Sequence, residues 1–447
     1  MIYRRQAAGL LATLALLVGL PLNAQPAKGN AQEVVSLMMV LRRESRTVHS
    51  YVQLYEACAQ KPATPDFAAA PHDSALAGRA VGQLGAEWNT LPEAAGNMLA
   101  EQCKRRMLKL MGPNGTYYTP AEFEVMRKSG GFDMGLALTR LDGQWVVRET
   151  REGSPAAAAG LKSGDVLVSV DGKTVAGLDL SGLVGLLRQP VASPSQLVSQ
   201  RIDEAPQTRT VARAPITMDK TVVVEKLPGH LYIRLASLLD DTPARLMEGL
   251  RGKAVDSNMV RVLDLRGNPG GSLNVMEWVL ALLGNHGRAG AWYSVQHRAG
   301  NPYAAPYSAT ESVNRARTPP SAGIVQLREW LVPGRWQVLI DSETNGGASW
   351  LASTLRELNG AVLIGQPPES TVFGVDVVQD VKEARGTAGI LLEAGLLGLP
   401  SGKALALDNV KPGTVLPRTL STVKPLPKSA AEWLEDPVYL QIKDGLN

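Results

Sequence analysis

The sequence predicts a protein of class α/β + β, with a helical N-terminal region, a small β-rich domain and a larger α/β core. Three observations predict this class. Apolar residues recur at helical spacing in the first part of the chain, short apolar strands then flank Gly-containing turns, and strands finally alternate with helices. Such alternation indicates a mostly parallel sheet with helices on its faces. The expected divisions are residues 25–128 (helical), 129–214 (β-rich), 215–425 (α/β core) and 426–447 (a C-terminal helix).

Composition narrows the class of function. The 447 residues are 45% hydrophobic and 20% charged, which excludes a disordered chain or a collagen-like fibre and suggests two or three domains. The formal net charge of +4 is too small for the basic surface that binds nucleic acid. We therefore expect no nucleic-acid partner. We also expect no metal or cofactor.

The N-terminal segment has the features of a secretory signal peptide. Arg4 and Arg5 precede an apolar run from Ala7 to Leu20, and the small residue Ala24 ends the segment. The run is short for a hydrocarbon core of about 30 Å, although an uncleaved anchor is the alternative. We expect cleavage after Ala24, a periplasmic or secreted location, and no membrane span in the remaining chain.

The two cysteines, Cys58 and Cys103, both lie in the helical N-terminal region. An oxidising compartment permits a disulfide between them. Spacing along the chain does not show that two cysteines are close in space, so two buried thiols are the alternative.

Two glycine-rich segments each follow an apolar strand and precede a helix. The first contains Gly270 and Gly271, and the second runs from Asp341 to Ser349. Such a turn directs backbone N–H groups outward beside the positive end of a helix, where they bind a phosphate or stabilise an oxyanion. The alternative is a structural turn, with Thr344 or Asn345 serving as an N-cap.

Two parts of the chain resemble known families. Residues 130–172 contain Gly-Ser-Pro-Ala, Gly-Leu-Lys-Ser-Gly-Asp and Asp-Gly, and they resemble a bacterial PDZ domain. Residues 263–271, Leu-Asp-Leu-Arg-Gly-Asn-Pro-Gly-Gly, resemble a turn of the carboxyl-terminal processing (tail-specific) serine proteases. Further landmarks extend this resemblance over about residues 90–425. The resemblance implies a PDZ domain followed by an α/β core of crotonase/ClpP-like strand–turn–helix units.

The family implied by this resemblance uses a serine nucleophile and a lysine general base, with a glutamine nearby. Gap-free matching of the second glycine-rich segment puts Gly346 at the nucleophile position. Residues 373–379 match the family's lysine segment, which puts Val375 at the lysine position and retains Gln379. Glycine has no side chain to attack a carbonyl, and valine cannot accept a proton. No lysine occurs from Ala254 through Val381. The resemblance thus implies a peptidase homologue whose catalytic dyad is lost, and whether the chain is an enzyme stays open.

An active serine peptidase with a displaced nucleophile is the alternative. Ser349 would then attack the substrate, with His286 or His297 as the base. A binder of small molecules that uses the former cleft is a third reading of the same residues.

The PDZ-like segment retains the loop Met134-Gly135-Leu136. In PDZ domains the equivalent loop binds a peptide's terminal carboxylate through backbone N–H groups, and the peptide adds a strand alongside. These contacts depend on backbone geometry, so the sequence favours peptide binding over cleavage. We expect an exported homologue that binds polypeptide C-termini or unfolded proteins and regulates a partner; the partner's identity and any homo-oligomer stay open.

Overall fold

The described part of the chain covers most of the predicted domains. The computed structural model describes residues 30–45, 49–65, 73–112, 115–129, 131–178, 180–189, 192–253, 258–271, 273–283, 295–296, 335–369, 374–399, 401, 403, 405–416 and 423–445. The predicted signal peptide, His286 and His297 lie outside these residues. The predicted fold class is confirmed: helices come first, a PDZ domain follows, and an α/β core completes the fold.

The N-terminal region is helical, as predicted. Its helices are α1 (Asn30–Glu44), α2 (Tyr51–Ala59), α3 (Asp73–Trp88) and α4 (Glu93–Lys109). Helix α2 starts at a capping box in which Ser50 and Gln53 satisfy each other's backbone N–H groups. The apolar faces of the helices share one core. The disulfide Cys58–Cys103 joins α2 to α4, so the bridge is present and the two-thiol alternative is wrong.

Strand β1 (Thr116–Tyr118) and helix α5 (Pro120–Ser129) lead into the PDZ domain. The elements of this domain are β2 (Phe132–Asp133), β3 (Leu136–Leu141), β4 (Gln144–Thr150), α6 (Pro155–Ala158), β5 (Val166–Val170), β6 (Lys173–Thr174), α7 (Leu180–Leu187), β7 (Ser195–Gln200), β8 (Gln207–Val211) and β9 (Ala214–Pro215). Five of its strands form a sheet in the order β3-β4-β5-β7-β8. Asp142 and Gly143 form the hairpin turn between β3 and β4, with φ values of 49° and 79°. Strand β3 lies at the edge of this sheet.

The core is a six-stranded sheet ordered β10-β11-β12-β14-β15-β18, parallel from β11 onward. Its strands and helices are β10 (Val222–Leu227), β11 (His230–Leu235), α8 (Thr242–Leu250), β12 (Val260–Asp264), α9 (Leu273–Leu282), β13 (Val295–Gln296, paired outside this sheet), β14 (Trp336–Ile340), α10 (Gly346–Asn359), β15 (Val362–Gly365), α11 (Leu407–Val410) and β18 (Thr414–Val415). Because β12 and β14 are parallel neighbours, their carboxyl ends meet at one edge of the sheet. Both glycine-rich segments start there.

A long hairpin connects the core to the helical region. Strands β16 (Gly374–Glu383) and β17 (Gly386–Leu397) pair along their length, and β1 adds to β17. At the hairpin tip, buried Lys104 of α4 forms an ion pair with Glu383 at 2.6 Å. The helical region therefore holds the tip of the hairpin whose opposite end carries residue 375.

The C-terminal segment differs from the single helix predicted at residues 426–447. It forms two short helices, α12 (Ala430–Leu434) and α13 (Pro437–Ile442), and then a 3-10 turn. Pro437 cannot donate the backbone hydrogen bond that would continue α12. Asp436 instead caps α13 by accepting from the N–H of Val438 at 2.8 Å.

Candidate functional site

The two glycine-rich segments meet above the carboxyl ends of β12 and β14. We call residues 266–271 the glycine turn and residues 341–346 the elbow. The backbone N–H of Asn345 donates to the carbonyl of Asn268 at 3.0 Å. A Cβ built on Gly270 would lie 2.7 Å from the nitrogen of Gly347, so the glycine turn lies directly against the start of α10. The structure therefore brings Gly270 and Gly346 into one site.

The glycine turn is held in shape by Asn268. Its fully buried side chain accepts from the N–H of Gly270 at 2.8 Å and donates to the carbonyl of Leu235 at 2.8 Å. The N–H of Leu238 donates to the carbonyl of Gly270 at 3.1 Å, and Gly271 bridges to Leu238. The turn thus retains a fixed backbone, which is the property an oxyanion-binding turn requires.

The elbow is organised by a carboxylate that the sequence analysis did not single out. Buried Asp341 accepts three backbone N–H groups at one oxygen, from Gly267, Glu343 and Thr344, at 2.9–3.1 Å. Asn345 then caps α10 by accepting from the N–H of Gly346 at 2.7 Å. A strand-ending Asp followed three residues later by Thr was the available signal, since such residues bond the backbone locally.

Gly346, which motif matching puts at the nucleophile position, lies where a side chain would have space. Gly346 is the first residue of α10 and has φ +48°. A Cβ built there would have one neighbour within 4 Å among the described atoms, the carbonyl oxygen of Pro269 at 3.6 Å. The side chain that this position could accommodate would therefore point at the glycine turn.

Ser349 lies in the wrong place for the alternative nucleophile. Its side chain is fully buried within α10, and its hydroxyl donates to the carbonyl of Thr344 at 2.9 Å. A substrate carbonyl cannot approach a hydroxyl enclosed in this way. The histidines that the structure describes, His49 and His230, bond elsewhere, to Leu110 and to Trp433.

The base position lies on the long hairpin. Val375 pairs with Gly395 beside a β-bulge, and Gln379 pairs with Ile390 further along. The indole N–H of Trp350 in α10 donates to the carbonyl of Gly398 at 2.7 Å. This contact places the end of β17, and with it the start of β16, beside the helix that begins at Gly346.

The PDZ domain contacts the elbow directly. Buried Arg148 of β4 forms ion pairs with Asp341 at 3.3 Å and with Glu343 at 2.8 Å. Thr139 of β3 shares a hydrogen bond with Ser342 at 3.2 Å. Two strands of the PDZ domain therefore support the segment that positions Gly346.

A buried charge network lies behind the elbow. Asp264 accepts from both Arg266, at 2.7 Å, and the hydroxyl of Tyr232, at 2.9 Å. Burial alone would raise the pKa of Asp264, but the guanidinium groups of Arg266 and Arg234 outweigh it and lower the pKa to about 2. Arg266 also bonds Asp436, which attaches the C-terminal helices to the sheet.

The loop that precedes β3, residues 132–136, is called the carboxylate loop after its counterpart in PDZ domains, and its backbone turns at Gly135. Gly135 has φ +80°, and a Cβ there would lie 2.2 Å from the Cβ of Ser154, so this position requires glycine. Met134 is buried and its carbonyl accepts from the N–H of Ala156 at 2.9 Å. Leu136 is half-buried at the start of edge strand β3, where a peptide strand can be added.

The described residues were also inspected for metal-binding groups and for membrane-spanning helices. Among them, no group of three or more His, Cys, Asp or Glu side chains is arranged to hold a metal ion. No helix within the described ranges is long and apolar enough to cross a bilayer.

Comparison with known families shows which proteins the sequence resembles. Residues 146–201 match the PDZ domain, and residues 230–416 match peptidase family S41. The chain is 24% identical over 280 residues to the carboxy-terminal processing protease CtpA of Bacillus subtilis, covering 62% of this chain and 54% of that protein. It is 30% identical over 166 residues to CtpB of the same organism, covering 36% and 35% respectively. The chain thus spans about half or less of the length of these relatives.

A solved structure shares the overall fold. The structure titled mature CPAF complexed with lactacystin superposes with a TM-score of 0.51 at 11% identity, covering 94% of this chain and 99% of that one. At this identity the likeness concerns the fold alone. Together with the family matches, it confirms the resemblance drawn from the sequence motifs.

Proposed function

We propose that the chain is a member of peptidase family S41 that carries a PDZ domain and binds polypeptide C-termini without cleaving them. In this proposal it is an exported homologue of the carboxyl-terminal processing peptidases whose serine–lysine dyad is lost. It acts by binding, either to regulate a partner or to hold an unfolded chain. Its location is periplasmic or extracellular, in keeping with the N-terminal segment 1–24.

The observation that carries the proposal is Gly346. The glycine turn, the elbow and the start of α10 have the arrangement of a site that holds a carbonyl next to a nucleophile, yet the nucleophile position ends at an α-carbon. Nucleophile and base act as one unit in such peptidases, so losing either one removes most of the rate. Here Val375 at the base position also lacks a group that accepts a proton.

Binding is supported by what the PDZ domain retains. Strand β3 is an edge strand, and the loop before it has a glycine at positive φ where the backbone turns. A peptide can add to this edge through main-chain hydrogen bonds, with its terminal carboxylate at the loop. None of these contacts needs a catalytic side chain.

The test is a binding measurement on the full-length protein with two versions of one peptide. A short unstructured peptide with apolar C-terminal residues is titrated as the free acid and as the C-terminal amide, and fluorescence anisotropy reports binding. We expect the free acid to bind at least about tenfold more tightly, since charge-assisted hydrogen bonds to the carboxylate are lost in the amide. Equal affinity of the two peptides would refute the proposal, as would the absence of binding both by the wild type and by the Asp133 variants described below.

A further inference from the structure

The carboxylate loop already contains a carboxylate from its own chain. The N–H of Gly135 donates to Oδ1 of Asp133 at 3.0 Å, and the Asp133 side chain is 12% exposed. Backbone N–H groups of this loop are the donors expected for a peptide's terminal carboxylate. One of the donors is therefore satisfied internally, by the same chemical group that a ligand would bring.

The negative charge of Asp133 is balanced by Arg151, which follows β4. Its guanidinium group forms an ion pair with Asp133 and also donates to the carbonyl of Thr217. The Arg151 side chain is 32% exposed, so solvent and a ligand can reach it. Its Nε also lies 3.6 Å from the position of a Cβ built on Gly135, which puts the cation beside the loop. Arg188 adds further positive potential at Asp133.

On the basis of this contact, we infer that Asp133 occupies the carboxylate position of the PDZ loop and that Arg151 is the cation exchanged between Asp133 and a peptide carboxylate. The inference rests on the proposed function, because it concerns the same binding loop. Two carboxylates cannot share one N–H donor and one guanidinium without repulsion. A peptide therefore binds after Asp133 moves away, and its apparent affinity falls by the fraction of molecules in which the loop is open.

The test compares variants of the full-length protein with the same acid and amide peptides. Asp133→Gly removes the internal carboxylate, and we expect it to tighten binding of the free acid at least about tenfold while leaving the amide unchanged. Asp133→Asn, which retains the shape of the side chain without its charge, should give a smaller gain of the same sign. The matched control is Asp203→Asn, an exposed aspartate in the same domain, which should change neither affinity.

A variant of Arg151 provides the second part of this binding experiment. In the Asp133→Gly background, Arg151→Gln should weaken binding of the free acid about tenfold and leave the amide unchanged. If Asp133→Gly and Asp133→Asn leave the affinity for the free acid at or below the wild-type value, or if acid and amide gain equally, the inference is wrong. If the inference is wrong in this way but the wild type binds the free acid more tightly than the amide, the proposed function is still supported. If no variant binds either peptide, the proposed function fails together with the inference.

Discussion

The elbow of the core and the carboxylate loop of the PDZ domain are both shaped by their backbone, and they differ in the one side chain that would face a ligand. At Gly346 there is no side chain and there is space for one, because a Cβ there would meet one carbonyl oxygen at 3.6 Å. At Asp133 a carboxylate accepts from the backbone N–H of Gly135, which would otherwise be open to a ligand. Hydrogen bonds fix the backbone in both places. The comparison shows that a fixed backbone identifies a site, whereas its side chains decide whether the site reacts, binds or is occupied.

The contact between the elbow and strand β4 of the PDZ domain gives the largest expected effect on stability. Arg148→Ala removes a buried guanidinium that pairs with Asp341 and Glu343 across the domain boundary. Leaving buried carboxylates without this partner should lower the free energy of unfolding by about 4 kcal/mol. Arg140→Ala is the matched control, because its ion pair with Glu369 joins the same two domains but is about a quarter exposed, and it should cost below about 1 kcal/mol. Urea unfolding of both variants measures the difference, and equal losses would contradict a special role for Arg148.

Two glycine substitutions compare the carboxylate loop, where Gly135 is closely packed, with the elbow, where Gly346 has space for a side chain. Gly135→Ala places a methyl group 2.2 Å from the Cβ of Ser154 at φ +80°, so it should cost about 3 kcal/mol. Gly346→Ser has room for its side chain and a φ of +48°, so it should cost about 1 kcal/mol from backbone strain alone. Thermal or urea unfolding gives both values. If Gly346→Ser proves as costly as Gly135→Ala, the elbow does not have the space described for it.

Acid should destabilise the sheet behind the elbow. The folded-state pKa of Asp264 is about 2, below its usual value of about 4 in an unfolded chain. Its contribution is therefore fully present above pH 4 and is lost as the pH falls toward 2, amounting to about 2 kcal/mol. Asp264→Asn should flatten this part of the pH profile of unfolding, whereas Asp203→Asn should leave it unchanged. A wild-type profile with no slope between pH 4 and 2 would contradict the assignment.

The sequence predicted the features that follow from local pattern. Apolar strands that lead into glycine-rich segments indicated the two strand–turn–helix units that carry Gly270 and Gly346, because this pattern involves residues that are adjacent in sequence. The roles of Asp133, Asp341 and Arg148 could not be predicted, because each depends on contacts between segments distant in sequence or on the direction of a side chain. The same limit explains Ser349: its spacing from Gly346 suggested a nucleophile, but its burial within α10 is a tertiary property.

The central claim, a peptidase fold that no longer cleaves, is tested most directly by mass spectrometry of an unfolded substrate. Casein is incubated with the full-length wild type, with Ser349→Ala, and with Ser353→Ala as a control for a second buried serine of α10. The account predicts intact casein in all three samples, because Gly346 offers no nucleophile and Ser349 is enclosed. Fragments produced by the wild type and by Ser353→Ala, but not by Ser349→Ala, would show that the enzyme is active and that the assignment of Gly346 is wrong.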